Sequence, residues 1–173
     1  DPLGKPSGES EYSLSPKAYG EFLCRLFDLW YDDYTKGRIV HIRQFENYLS
    51  ILLTGRAESC DMNGFCSIQN VVEANGDVYP CDFFVLDEYR LGNLNTDTLE
   101  EIRTCETARR FIERSLKKPE RCQTCPYLSL CRGGCYRHRI MAEIPGGTDY
   151  FCESYRIFFA HCLDRLIRIA KSL

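Results

Sequence analysis

The chain has 173 residues, enough for one domain or a domain with an appendage, and its 44% hydrophobic and 13% aromatic content excludes a disordered polymer. A net charge of −3 excludes a global basic field for nucleic acid. No apolar run approaches the ~18 residues of a membrane span. Eleven cysteines are too many for an ordinary cytosolic enzyme and an odd number for a disulfide framework. The first residue is Asp1, not Met, with no signal-like apolar stretch after it, so the chain reads as a piece of a longer protein.

Residues 1–15 are rich in Gly, Pro and Ser and read as a loop. Ser15 then offers an N-cap and Pro16 a first helical residue. Tyr19, Phe22, Leu23, Leu26, Phe27, Trp30 and Tyr34 recur at helical steps and predict an amphipathic helix ending at Gly37. Cys24 beside that face reads as a small buried hydrophobe. Residues 38–42 read as a short strand, with His41 packed or exposed. Helical spacing returns over 43–54 through Phe45, Tyr48, Leu49, Leu52 and Leu53, with Gly55 as the stop.

The composition then changes, because ten of the cysteines lie from residue 60 onward. Residues 67–73 and 77–85 alternate apolar and polar around Asn75-Gly76, which predicts a hairpin. Short helices follow over 97–103 and 105–117, with Leu99, Ile102, Phe111, Ile112 and Leu116 inward. Residues 119–150 are cysteine-rich and irregular. A last amphipathic helix runs over 152–171 through Tyr155, Phe158, Phe159, Cys162, Leu166 and Ile169. No internal repeat is visible. The fold class is α+β: mostly helical, with a small antiparallel hairpin and cysteine-rich loops.

The densest signal is Cys122-x2-Cys125-x5-Cys131-x3-Cys135, followed by Cys152 and preceded by Cys60, Cys66 and Cys81. Three chemistries compete for it. Disulfides are opposed by the odd count, the missing signal stretch and the absence of an Asn-x-Ser/Thr sequon. Structural zinc favours two CxxC knuckles, and only one is present. Iron–sulfur clusters need four thiolates each and tolerate irregular spacing. Eight cysteines make two such sites and leave Cys24, Cys105 and Cys162, each on a predicted helix. Gly133 and Gly134 before Cys135 would let the backbone approach a bulky inorganic centre. Arg109-Arg110, Lys117-Lys118 and the run Arg132 to Arg139 are basic and read as solvated faces, with His138 and His161 structural or exposed.

The order Cys66-x9-Gly76-x4-Cys81, then Cys122-x2-Cys125-x5-Cys131-x3-Cys135, then Cys152 resembles the seven-cysteine pattern of SPASM domains. These are the auxiliary-cluster domains of radical S-adenosylmethionine enzymes. Within that group the chain resembles the anaerobic sulfatase-maturating enzymes. The match is carried by CDMNGFC at 60–66, YPCDFFVLD at 79–87, RLGN at 90–93, RGGC at 132–135 and FDLWY at 27–31.

That resemblance implies two [4Fe–4S] clusters, one held by Cys60, Cys66, Cys81 and Cys135, the other by Cys122, Cys125, Cys131 and Cys152. It implies that Asp82 is the base that deprotonates the substrate thiol or hydroxyl. An anionic centre beside a carboxylate should make it a better proton acceptor. It implies a parent that oxidises a Cys or Ser of a sulfatase to Cα-formylglycine. The expected partners are the sulfatase polypeptide, the chain's own N-terminal radical S-adenosylmethionine barrel and an electron donor such as flavodoxin or ferredoxin, without nucleic acid or membrane. A reducing, low-oxygen cytoplasm is the implied location.

No CxxxCxxC triplet is present for a third [4Fe–4S] cluster and S-adenosylmethionine, so that site belongs to an N-terminal domain and this portion alone should be inactive. Residues 1–54 would close the catalytic barrel and bridge onward, and residues 55–173 would form the SPASM domain. Another SPASM peptide modifier, forming thioethers or crosslinks, and a zinc-binding interaction module remain the alternatives.

Overall fold

The computed structural model describes residue 8, residues 10–141 and residues 147–173. Parts of the expected N-terminal loop and of the irregular stretch 119–150 therefore lie outside the described residues. Three longer helices form the frame: α1 Pro16–Thr35, α2 Arg43–Thr54 and α8 Cys152–Ser172. Ser15 Oγ accepts the Ala18 N–H and caps α1, while Gly55 in the left-handed region ends α2. Gly20 lets α1 and α8 approach closely, since a Cβ there would lie 3.0 Å from the Ser154 Cα. Ser154 Oγ donates to the Pro16 carbonyl at 2.5 Å and fixes the start of both helices.

Aromatic rings fill the seam between these helices. Phe27 meets Phe45 edge-on at 5.2 Å and Phe158 at 5.9 Å, and Phe45 stacks on Phe158 at 5.7 Å. Trp30, Tyr48, Phe159, Cys162, Leu166 and Ile169 complete this core, which also takes in Met62 and Leu130 from the cysteine-rich part. Residues before and after position 54 thus share one apolar core. Phe158 is fully buried in it. Phe158→Ala should cost about 3–5 kcal/mol of stability, read as a lowered urea midpoint of the reduced chain.

The rest is small and loop-rich. A three-stranded antiparallel sheet orders β1 Val71–Val72, β2 Asp77–Tyr79 and β3 Gly92–Asn93 side by side, with Val71 opposite Tyr79 and Val78 opposite Gly92. Then come α3 Leu99–Thr104, α4 Glu106–Leu116, α5 Glu120–Gln123, α6 Leu128–Cys131 and α7 Tyr136–Met141. Thr98 and Glu101 form a reciprocal capping box on α3. Val78, Leu91, Ile102 and Ala108 make a second, smaller core.

Several expectations change. Residues 38–42 form no strand and pair with no strand among the described residues; their anchor is the Val40 carbonyl, which accepts Trp30 Nε1 at 2.8 Å. The hairpin turn has three residues, 74–76, because the Glu73 N–H bonds the Asp77 carbonyl. The second strand stops before Pro80, which has no N–H to give, and residues Asp82–Phe84 coil into a 3-10 turn. The third strand was not foreseen. Leu99 and Leu116 stand half exposed, since Ile102 and Phe111 take the inward places on those short helices. Phe22 and Leu53 are likewise on the outside.

Candidate metal centre

Two cavities carry the cysteines. The first, of about 530 Å³, is lined by Cys60, Cys66, Cys81 and Cys135 together with Asp82, Phe65, Phe83, Gly134 and His138. The second, of about 270 Å³, is lined by Cys122, Cys125, Cys131 and Cys152 together with Arg121, Arg156 and Asp149. Cys24, Cys105 and Cys162 line neither. Cys162 is buried in the main core and Cys24 packs against it. Cys105 is instead the N-cap of α4, its sulfur accepting the Ala108 N–H at 3.4 Å. All eleven cysteines are free thiols.

Local structure explains how each thiol reaches its cavity. Asn47, buried on α2, accepts the N–H groups of Glu58 and Ser59 at 2.7 and 3.0 Å and so aims the 3-10 turn Cys60–Met62. Cys66 is held by its own N–H, which donates to Ser115 Oγ at 2.8 Å. Cys81 is the extended residue between β2 and the turn Asp82–Phe84. Cys135 opens α7 after three consecutive left-handed residues, Arg132, Gly133 and Gly134. Around the second cavity every thiol sits on a single tight turn. The Cys125 N–H bonds the Cys122 carbonyl, the Cys131 N–H bonds the Tyr127 carbonyl and the Cys152 N–H bonds the Asp149 carbonyl. Cys152 is also the first residue of the 21-residue helix α8, where the helix dipole favours a thiolate.

The glycine pair does more than admit a bulky centre. A Cβ on Gly134 would overlap the Asp149 carboxylate, and one on Gly133 would press on the Lys118 side chain. The basic run from Arg132 to Arg139 is also not a solvated face. Arg139 is buried and donates to the Ser115 and Lys117 carbonyls at 2.7 and 2.6 Å, tying α4 to α7 behind the first cavity. Arg132 donates to the Gly55 carbonyl at 2.8 Å. Arg137 lies 4.7 Å over the Phe83 ring. Lys118 bonds the Gly64 carbonyl at 2.9 Å, while Arg109 and Arg110 are exposed as expected.

Asp82 is exposed at the mouth of the first cavity, and its Oδ1 accepts the Cys81 thiol at 3.1 Å. His161 and Arg165 both bond Asp28 at 2.7 Å, and exposed His41 bonds Glu46; none of these residues lines either cavity. The sequence carries no signal for Ser115 or Asp149, neither of which stands in a recognisable motif, and it misplaces Arg139 on a solvated face.

Burial pushes the Cys81 and Cys131 thiols up to about 12 and Cys135 up to about 11, and raises Cys66, Cys122 and Cys152. Desolvation is the leading cause for each. Such thiols stay neutral at pH 7 unless a cation takes the place of their protons, so metal capture here releases protons. Among the described residues, no three His, Cys, Asp or Glu side chains converge tightly enough to hold a single ion. Each cavity is lined by four cysteine sulfurs, and four such thiolates fit a centre in which each binds a different iron.

Residues 60–126 match SPASM, an iron-sulfur cluster-binding domain. Over the full chain the sequence is 45% identical to a cysteine-type anaerobic sulfatase-maturating enzyme of Clostridium novyi (strain NT), covering 100% of this chain and 46% of that protein. A serine-type enzyme of Bacteroides thetaiotaomicron is 34% identical over 98% of this chain and 41% of its own length. Among solved structures, native anSMEcpe with bound AdoMet and Kp18Cys peptide superposes with a TM-score of 0.94 at 44% identity, over 100% of this chain and 48% of that one. The chain thus carries an iron-sulfur cluster-binding domain of the SPASM class. Over its whole length it is similar to anaerobic sulfatase-maturating enzymes, and it spans about half the length of the curated relatives it matches. No described helix is long and apolar enough to cross a membrane.

Proposed function

We propose that this chain is the auxiliary-cluster half of a radical S-adenosylmethionine enzyme that converts a Cys or Ser of a sulfatase to Cα-formylglycine. The observation that carries the reading is the division of eight thiols into two cavities of four, with Asp82 at the mouth of one. Cys60, Cys66, Cys81 and Cys135 would hold one [4Fe–4S] cluster, and Cys122, Cys125, Cys131 and Cys152 the other. Such clusters, when bound, supply one-electron acceptors. In this reading Asp82 takes the proton of the substrate thiol or hydroxyl, while Arg121 and Arg156 balance the negative charge of the second thiol set. Cysteine-type relatives stand at 44–45% identity and the serine-type relative of Bacteroides at 34%, which favours a cysteine substrate.

Residues 1–54 would complete the catalytic barrel and residues 55–173 would form the SPASM domain. S-adenosylmethionine and a third cluster would belong to the partner barrel, and a flavodoxin or ferredoxin would supply electrons in a low-oxygen cytoplasm. The spread of the thiols speaks against a single zinc ion.

The test is metal analysis of the chain prepared without oxygen. Iron and sulfide in equal amounts, about eight of each per chain, are expected for two four-iron clusters. Stoichiometric zinc without sulfide would overturn the reading.

A further inference from the structure

One polar pair spans the wall between the two cavities. Asp149 is 3% exposed and lines the cavity of Cys122, Cys125, Cys131 and Cys152. His138 lines the cavity of Cys60, Cys66, Cys81 and Cys135. Their facing atoms, His138 Nδ1 and Asp149 Oδ2, are 3.4 Å apart. Both atoms are buried and neither has a hydrogen-bond partner among the described residues, so each faces only the other. The other oxygen, Oδ1, accepts the Phe151 N–H at 2.7 Å, so the carboxylate cannot swing away without losing that bond.

The surroundings hold both members in place. The Asp149 carbonyl accepts the N–H of Cys152, a thiol of the second cavity. The Asp149 carboxylate rests on Gly134, the neighbour of Cys135, where a Cβ would displace it. The Tyr150 N–H bonds the His138 carbonyl at 3.3 Å, and the His138 ring packs edge-on against Phe151 at 5.2 Å. Positions 134–138 and 149–152, which bring one thiol to each cavity, are therefore joined through this pair. A buried carboxylate beside four thiols is electrostatically unfavourable and has no role in the reading above. Its retention with an oriented imidazole asks for an explanation beyond packing.

We propose that Asp149 and His138 are positioning residues that set the reduction potential at the second thiol set and couple it to the first. The inference rests on the two-cluster reading. A carboxylate fixed within a few ångströms of a buried redox centre disfavours adding an electron there, and the imidazole N–H tempers that effect. Because the imidazole belongs to the other cavity, a change of charge on one side is felt on the other across this one 3.4 Å contact. Each reduction takes one electron from an added low-potential donor, dithionite in the experiment.

The experiment is an anaerobic redox titration of the reconstituted protein followed by electron paramagnetic resonance, in the unsubstituted chain, Asp149→Asn, His138→Gln and the double variant. Asn keeps the size of the side chain and the acceptor for Phe151. Asp149→Asn should retain its iron and sulfide, and one signal should become easier to reduce by about tenfold or more in equilibrium constant. Tenfold is a lower bound, since one full charge about 4 Å away at an effective dielectric of about 20 corresponds to about a thousandfold. His138→Gln, at a partly exposed position, should shift the same signal the opposite way. The double variant should match Asp149→Asn alone, because the imidazole acts through the carboxylate.

Unshifted potentials in fully loaded variants would overturn the inference. So would cluster loss in Asp149→Asn together with an unshifted His138→Gln, which would make the aspartate a folding residue. Failure of the unsubstituted chain to take up two clusters would instead overturn the reading on which the inference rests.

Discussion

Cys81→Ser should lose the cluster of the first cavity, and Cys125→Ser that of the second, each removing about half of the iron. The two losses should be distinguishable, because no described residue lines both cavities. Each change removes one of four thiols from a set that has no spare cysteine beside it. Ligation and folding are coupled where small metal-stapled segments have little core of their own. The second cavity is built by the one-turn helices α5 and α6, so Cys125→Ser should also expose residues 119–135 to limited proteolysis. The first cavity is backed by the sheet and by Phe84 and Phe111, so Cys81→Ser should keep more of its protection. Cys24→Ala, Cys105→Ser and Cys162→Ala serve as controls and should keep full iron. Loss of iron in the Cys162 variant would show that the eight ligands are wrongly chosen, and retention in the Cys125 variant would do the same.

The parts of the molecule that could be read from the sequence are those with a period or a spacing. Tyr19 to Tyr34 and Tyr155 to Ile169 carry helical periodicity, and α1 and α8 lie where that periodicity puts them. Asn75-Gly76 located the hairpin, with Gly76 in the left-handed region. Periodicity does not fix how wide a face a short helix buries: of the residues expected inward, Ile102 and Phe111 are buried, whereas Leu99 and Leu116 are half exposed. Strand length failed for a physical reason too. Pro80 ends the donor row of β2, and the extended Cys81 leads directly into the tight turn Asp82–Phe84.

The basic run from 132 to 139 looked like a charged surface because composition cannot show that Arg139 finds backbone carbonyls 22 and 24 residues away. Asp149 was invisible for the same reason, since its partners, Gly134 and His138, are brought to it only by the fold. The grouping of thiols came from resemblance, and spacing alone would have joined Cys135 to the nearby Cys131. The left-handed turn at Arg132 to Gly134 sends the two into different cavities.

The largest expected loss of activity belongs to Asp82→Asn in the full-length parent. Asn has nearly the same size but cannot accept a proton at neutral pH. Formylglycine formation from a sulfatase peptide should fall by roughly 10²-fold or more, the scale of a positioned base. Iron and sulfide should be unchanged, because Asp82 is not among the eight thiol positions and its bond to the Cys81 sulfur lies at the exposed mouth of the cavity. Cleavage of S-adenosylmethionine should persist in part, since removal of the Cβ hydrogen does not use the carboxylate. That split between cleavage and product is what a base predicts. Product formation near the unsubstituted rate would refute the role of Asp82. Loss of iron in the same variant would assign the carboxylate to holding the turn after Cys81, where it accepts the thiol hydrogen bond.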